Sequence, residues 1–186
     1  SFKPEKNGHA YAVDLVKQVS NLNHGIYLDD ELQNSSPTNF CIGIAGYPEK
    51  HAESPNKESD IDVLKSKVDA GADYIVTQMF FDNEKYFRFV DDVRKAGIDL
   101  PIIPGLKPLA TANQLLMLPQ TFHIDIPQAL VEKSRQFTKK EDIRKLGIEW
   151  TIEQSLELKK NGAPCLHYYT MGNANNIVEI AKGVFA

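Results

Sequence analysis

The sequence is short of the features that announce several common kinds of protein. It has no apolar run near the roughly 20 residues of a membrane span and no apolar signal core at its start, so a cytoplasmic protein is expected. Positive charge is not in excess: 21 Lys and Arg stand against 25 Asp and Glu, for a net charge of -4 and a pI near 5.7. Phosphate backbones are held by clustered cations, which argues against nucleic acid or an anionic membrane as a partner. The basic pairs Lys139-Lys140 and Lys159-Lys160 read as solvated helix faces. Cysteine is scarce. Cys41 and Cys165 both lie in apolar strand-like runs without metal-ligand spacing, so buried free thiols are expected rather than a disulfide or a metal site. No Gly-x-Gly-x-x-Gly follows a strand-like run, which counts against a dinucleotide-type unit.

What is there suits one globular domain over residues 1–186: 42% of the residues are hydrophobic and 25% charged. The most informative run is Tyr74-Ile75-Val76-Thr77-Gln78-Met79-Phe80-Phe81, rich in β-branched and aromatic side chains. Its lack of clean alternation predicts a strand buried on both faces, as in a parallel sheet covered by helices. Gln78 is the odd residue in it. A buried amide must be paired, so Gln78 is either tied into a structural network or aimed at something bound.

Ahead of that run, Ala12, Leu15, Val16 and Val19 form one helical stripe. Phe40 to Gly46 reads as a strand that enters the loop Tyr47-Pro48-Glu49-Lys50-His51. A helix N-capped near Ser59 follows, with Ile61, Leu64 and Val68 inward and a stop at Gly71. On it Asp60 and Lys67 are seven residues apart, on nearly the same side and separated by roughly 10 Å of rise. They are either two solvated charges or a pair that grips two ends of an extended polar ligand. Beyond the central run, Asp82 or Asn83 caps a helix that Gly97 ends, and two prolines keep the strand at Leu100 to Gly105 short. Helices follow near Asn113 to Met117 and after Pro127, then a long one over about Lys140 to Lys160, where Ile148, Ile152 and Leu156 recur every four residues. Gly162 ends it. A last strand at Cys165 to Thr170 and a closing helix with Ile177, Ile180 and Val184 complete the pattern. Strands alternating with helices predict a parallel α/β sheet, doubly wound or barrel. Polar residues at four strand ends, namely Tyr47 with His51, Gln78, Gly105 with Lys107, and Tyr169 with Thr170, favour the barrel.

Taken together, Ala45-Gly46-Tyr47-Pro48-Glu49-Lys50-His51, Lys67-Val68-Asp69-Ala70-Gly71-Ala72-Asp73, Thr77-Gln78-Met79-Phe80-Phe81-Asp82, Ile103-Pro104-Gly105 and His167-Tyr168-Tyr169-Thr170 closely resemble the methylenetetrahydrofolate reductases, from about Tyr11 to the C-terminus. Each word is weak alone, and the ordered set is specific. The resemblance implies a parallel (β/α)8 TIM-type barrel with bound FAD, of which this chain carries roughly the last four strand-helix units. A reduced nicotinamide nucleotide, NADH or NADPH, would give hydride to the flavin, which would then reduce methylenetetrahydrofolate at the same face. A homo-oligomer is expected. By motif, Tyr11 and Ala12 would touch the flavin nucleotide, Tyr47, His51 and the backbone near Ser54 would line the FAD site, and Asp60 and Lys67 would hold its ribityl and phosphate portion. Gln78 would meet the pterin or nicotinamide, and Gln114 would be a second folate contact.

The chain departs from the family pattern in three places. Gly172-Asn173 stands where relatives often have Asn-Arg, removing a cation expected near the folate, and Ser66 stands where they often have Arg or Lys. The strands with the folate-protonating glutamate and the flavin-tuning aspartate would lie upstream of Ser1. The chain is therefore expected to be part of a longer polypeptide or completed by another chain, and inactive alone, because an open half barrel leaves two unpaired edges and an uncovered interior. The alternatives are another α/β barrel acting on a phosphorylated or pterin substrate, and a non-catalytic FAD- or folate-binding fragment.

Overall fold

A computed structural model describes residues 3–6, 8–170 and 174–186; Gly172 and Asn173 lie outside them. The order is α1 (Ala12–Asn23), β1 (Gly43–Gly46), α2 (Lys57–Asp69), β2 (Tyr74–Thr77), α3 (Asn83–Lys95), β3 (Ile102–Ile103), β4 (Gly105–Leu106), α4 (Gln114–Phe122), α5 (Gln128–Arg135), α6 (Lys140–Lys160), β5 (His167–Tyr168) and α7 (Asn175–Phe185). All pairings are parallel, in a three-stranded sheet β1-β2-β3 and a two-stranded sheet β4-β5. β3 and β4 form one short run interrupted by Pro104. A proline has no N–H for a ladder, and the next N–H, that of Gly105, is taken by the Thr77 hydroxyl at 2.9 Å. The run thus pairs with β2 before the proline and with β5 after it. Spatial order follows chain order, with helices between successive neighbours, and among the described residues the strands do not close into a barrel.

Leu64, Ile75, Phe89, Val93, Ile98, Ile102 and Leu158 pack between the sheet and its helices. A second cluster, Met79, Phe81, Leu109, Leu118, Leu130 and Ile143, fills the end where the strands run out. Burying side chains of this size stabilises by about 1.5–3 kcal/mol each before the entropy of ordering them is subtracted. Two close approaches set the geometry. A Cβ on Gly147 of α6 would lie 1.8 Å from the Leu109 carbonyl oxygen, so only glycine lets that helix reach the segment after β4. Gly71 has φ +111°, which a side chain would strain, and it ends α2 as expected.

Several expectations are corrected. The central run is not one eight-residue strand buried on both faces: β2 stops at Thr77, alternates half-buried and buried positions, and gives way to the buried but non-ladder residues Met79, Phe80 and Phe81. β1 alternates likewise, leaving Gly43 and Ala45 exposed on the face away from the helices. Cys41 precedes β1 in that alternation and is exposed, and Cys165, outside the β5 ladder, is exposed too; both are free thiols but neither is buried. Helix α2 is capped by Asn56, whose side chain accepts the Ser59 N–H, so Ser59 is a donor inside the helix and not its cap. Leu15 and Leu156, expected inward, point to solvent. No helix among the described residues is long and apolar enough to cross a membrane.

Candidate functional site

The loop after β1 is held by side chains that the first turns of α2 present to it. Asp60, 6% exposed, accepts the His51 N–H at 3.2 Å with one oxygen and the Ser54 hydroxyl at 2.9 Å with the other. Lys57 Nζ donates to the carbonyls of Tyr47 and Pro48 at 2.9 and 2.7 Å, and Lys50 Nζ to those of His51 and Ser54. Lys50 itself has φ +116°, a strained conformation for a residue with a side chain. The rings of Tyr47 and His51 meet edge to face, 4.5 Å between centroids. Burial, then the nearby Asp60 and Glu53 carboxylates, raise the Tyr47 pKa, so its hydroxyl keeps its proton at neutral pH.

Two turns along α2, Lys67 is 7% exposed and donates to the Ala45 carbonyl at 2.7 Å. Burial lowers its pKa and the Asp60 carboxylate opposes that. The pair is therefore not two solvated charges. An ammonium has three N–H donors, and this one uses a single donor within the chain, so the others remain for a ligand beside a carboxylate that can accept from hydroxyls. On the adjoining strand face the Tyr74 ring lies over Gly43, so that a Cβ there would come 2.4 Å from it, and Ala45 beside it is exposed. Such a donor set and cradle fit the polyol and phosphate of a flavin nucleotide.

Gln78 follows β2. Its backbone N–H continues the ladder to Gly46 at 2.8 Å, and its side-chain oxygen accepts from Met79 N–H at 2.9 Å, leaving the NH2 as an unused donor. Gln78 lines a gap of about 10 Å³ with Tyr47, Glu49, Met79 and His123, room for about one water. In that gap Glu49 accepts the Asp125 N–H at 2.6 Å with one oxygen, while the other is buried without a partner. Burial above all raises the Glu49 pKa, so this carboxyl holds a proton more readily than an exposed one.

The third cluster sits where β4 and β5 end. Lys107, Gln114, Tyr169, Thr170 and Asn176 surround a hollow of about 160 Å³. The Gln114 oxygen accepts the N–H groups of Ala110 and Thr111 at 2.7 and 3.3 Å, so here too the NH2 is left over. Tyr169 donates to the Thr77 carbonyl at 3.0 Å and anchors the last strand to the central one.

The fold thus brings Tyr47, His51, Ser54 and Asp60 into one group joined by hydrogen bonds and a ring contact, with Lys67 further along the same helix on the Ala45 carbonyl, Gln78 in the gap that Tyr47 also lines, and Gln114 in the separate hollow. Tyr11 and Ala12 are not joined to them: both are exposed at the start of α1, Tyr11 to 69%. Lys57, Glu49 and Lys107 belong to the site region although spacing alone did not single them out as ligand contacts. The signal for Lys107 was a lysine between Leu106 and Pro108 at a strand end, where an apolar residue would be routine. Among the described residues no cluster of His, Cys, Asp and Glu could hold a metal ion.

Comparison with known proteins adds independent information. The family model for methylenetetrahydrofolate reductase matches residues 1–184. Methylenetetrahydrofolate reductase 2 of Saccharomyces cerevisiae is 38% identical over 177 residues, covering 92% of this chain and 27% of the yeast protein. The 5,10-methylenetetrahydrofolate reductase of Escherichia coli is 36% identical over 175 residues, covering 94% of this chain and 53% of its own length. The chain therefore spans between about a quarter and a half of these relatives. A solved Clostridium thermocellum protein, described as binding two copies of 5-methyl-5,6,7,8-tetrahydrofolic acid, shares the fold at a TM-score of 0.51 and 18% identity, over 77% of this chain and 52% of that one.

Proposed function

The chain belongs to the methylenetetrahydrofolate reductase family, and we propose from that premise that it forms the FAD-holding half of an enzyme reducing 5,10-methylenetetrahydrofolate to 5-methyltetrahydrofolate with NADH or NADPH. The observation that carries the reading is the buried Asp60–Lys67 pair, which keeps spare donors and acceptors on one helix face beside an uncovered strand face. In the proposed enzyme that face is the inner wall of a (β/α)8 barrel, where the Tyr74 ring packs over Gly43 and the exposed Ala45 lies beside the Lys67 amine.

Bound FAD would supply a two-electron carrier that takes hydride from one substrate and yields it to the other at a single face. Lys67 would donate to the cofactor's phosphate, Asp60 would accept from its hydroxyls, and the Tyr47 and His51 rings would shield the site from water. The spare NH2 of Gln78 would donate to a ring acceptor of the pterin or nicotinamide, the oxygen being occupied by Met79. Gln114 would orient the folate from the other side. Glu49, with its raised pKa and orphaned oxygen, is the carboxyl of this chain best suited to hold a proton near Gln78.

The test is to purify the intact natural polypeptide and record its visible spectrum and its oxidation of reduced nicotinamide nucleotide with methylenetetrahydrofolate as acceptor. A flavin spectrum that bleaches with the nucleotide and recovers with the folate is expected. A colourless protein without turnover would overturn the reading.

A further inference from the structure

The helical layer holds a recess apart from the strand-end clusters. Between the starts of α3 and α5 and one stripe of α6 lies a cleft of about 700 Å³, within the ~300–1,000 Å³ range of small-molecule sites. Phe81, Trp150 and Leu156 form its apolar wall. The Trp150 ring already attracts a cation, since Lys133 Nζ lies 5.4 Å from its centroid.

The neutral side-chain donors of the cleft are spent inside the chain. Trp150 Nε1–H donates to the Phe81 carbonyl at 3.0 Å, and the Asn83 amide donates to the Gln154 carbonyl and the Glu157 carboxylate at 3.1 and 2.6 Å. The Gln154 amide donates to Asn83 Oδ1 at 3.1 Å and to the Phe80 carbonyl at 3.5 Å. Acceptors are left over. Gln154 is only 7% exposed, yet its Oε1 takes no hydrogen bond from the described residues. The oxygen of so buried an amide ordinarily has a partner, and this side chain lines the cleft. Asp82 and Glu157 each bond to the chain through one oxygen, Asp82 to the Glu84 N–H at 3.0 Å, and Glu153 and Glu157 form no ion pair among the described residues. Lys160 is the one cation of the lining against these three carboxylates. The Gln154 oxygen thus calls for a donor that enters the cleft, and the carboxylates call for that donor to be positive. An ammonium on an apolar stem meets both demands and covers the aromatic wall, whereas an anion would meet neither.

We propose that the cleft between α3 and α6 is a binding site for a small organic amine, its ammonium held by Gln154 Oε1, Glu153 and Glu157 and its apolar body laid against Trp150. The site is independent of the folate reading, because none of these residues has a role there. Its test is calorimetric titration of the intact natural polypeptide with phenethylamine and with the uncharged isostere 2-phenylethanol. Phenethylamine should bind saturably with a Kd of about 1 mM, and the alcohol at least about tenfold more weakly. Glu153→Gln combined with Glu157→Gln, which keeps an acceptor for Asn83, should weaken the amine about tenfold and leave the melting temperature unchanged. Leu156→Lys, at a position already 46% exposed, puts a competing ammonium beside the cleft and should weaken the amine about threefold or more. No saturable binding of the amine, equal affinity for amine and alcohol, or unchanged amine affinity in the double variant would overturn the site. If the double variant does not fold, Leu156→Lys decides: weakened amine binding supports the site and unchanged binding overturns it.

Discussion

Lys67 and Lys107 are two solutions to the same problem. Lys67 lies on α2 and Lys107 follows β4, each is 7% exposed, and burial lowers the pKa of both. Around Lys67 the chain compensates the desolvation itself, with the Ala45 carbonyl at 2.7 Å and the Asp60 carboxylate. Around Lys107 no hydrogen bond or ion pair to the amine is made by the described residues, and no carboxylate among them lines its hollow. The first region is therefore preorganised, so that a ligand meets polar groups already fixed and breaking one disturbs the fold. The second leaves its amine without a hydrogen-bond partner among the described residues, so removing the amine should leave the fold intact.

The contrast can be broken by substitution. The largest effect is expected at Asp60→Ala, which leaves the His51 N–H and the Ser54 hydroxyl without their acceptor and removes the carboxylate that offsets the burial of the Lys67 charge. Loss of one partner in such a buried network costs about 3 kcal/mol, and urea unfolding should show it, with flavin lost on desalting. Lys67→Met should follow. It orphans the Ala45 carbonyl and should cost about 2 kcal/mol of stability and at least about tenfold in FAD affinity. Lys107→Met, by the same unfolding assay, should lie within about 0.5 kcal/mol of wild type, since replacing a buried charge by an apolar chain of similar volume is often neutral. Similar losses at the two lysines would erase the comparison.

Smaller effects sharpen it. Gln78→Ala removes the unused NH2 donor proposed to meet a ligand and a local acceptor for Met79, and should lower kcat/KM for the folate by about tenfold while FAD retention changes little. Equal losses in both would assign Gln78 to the cofactor. Glu49→Gln should have the smallest effect, visible only as pH dependence. Because the folded-state pKa of Glu49 is raised by burial, its stabilising contribution is complete below the ordinary carboxylate pKa and is lost as pH rises through the raised value. Wild type should therefore lose stability relative to Glu49→Gln over that window in a pH series of thermal melts. The opposite slope would mean that the buried oxygen gains a cationic partner.

Much of the candidate site was legible in spacing. Seven residues on a helix put Asp60 and Lys67 on one side whatever the rest of the chain does, and Gly71, Gly97 and Gly162 all take the positive φ that marks a helix end. The long helix runs over Lys140–Lys160 as its pattern predicted. Legibility failed where the answer depends on what lies opposite. The apolar neighbours of Cys41 suggested burial, but the strand alternates and its outward face is uncovered. Tyr11 carries a family motif yet lies exposed, because motif position does not say which elements pack against it.

By itself the sequence determined the order and type of the elements, the turns between them and the family, because those depend on local periodicity, backbone freedom and motif order. Tertiary structure alone decided which charges are compensated. Local pattern set Lys67 on a helix and Lys107 just after a strand, and only the packing of α2 against β1 gives the first amine a carbonyl and a nearby carboxylate, while the second has no hydrogen-bond partner among the described residues. Electrostatic compensation falls off over a few ångströms in space and is blind to distance along the chain.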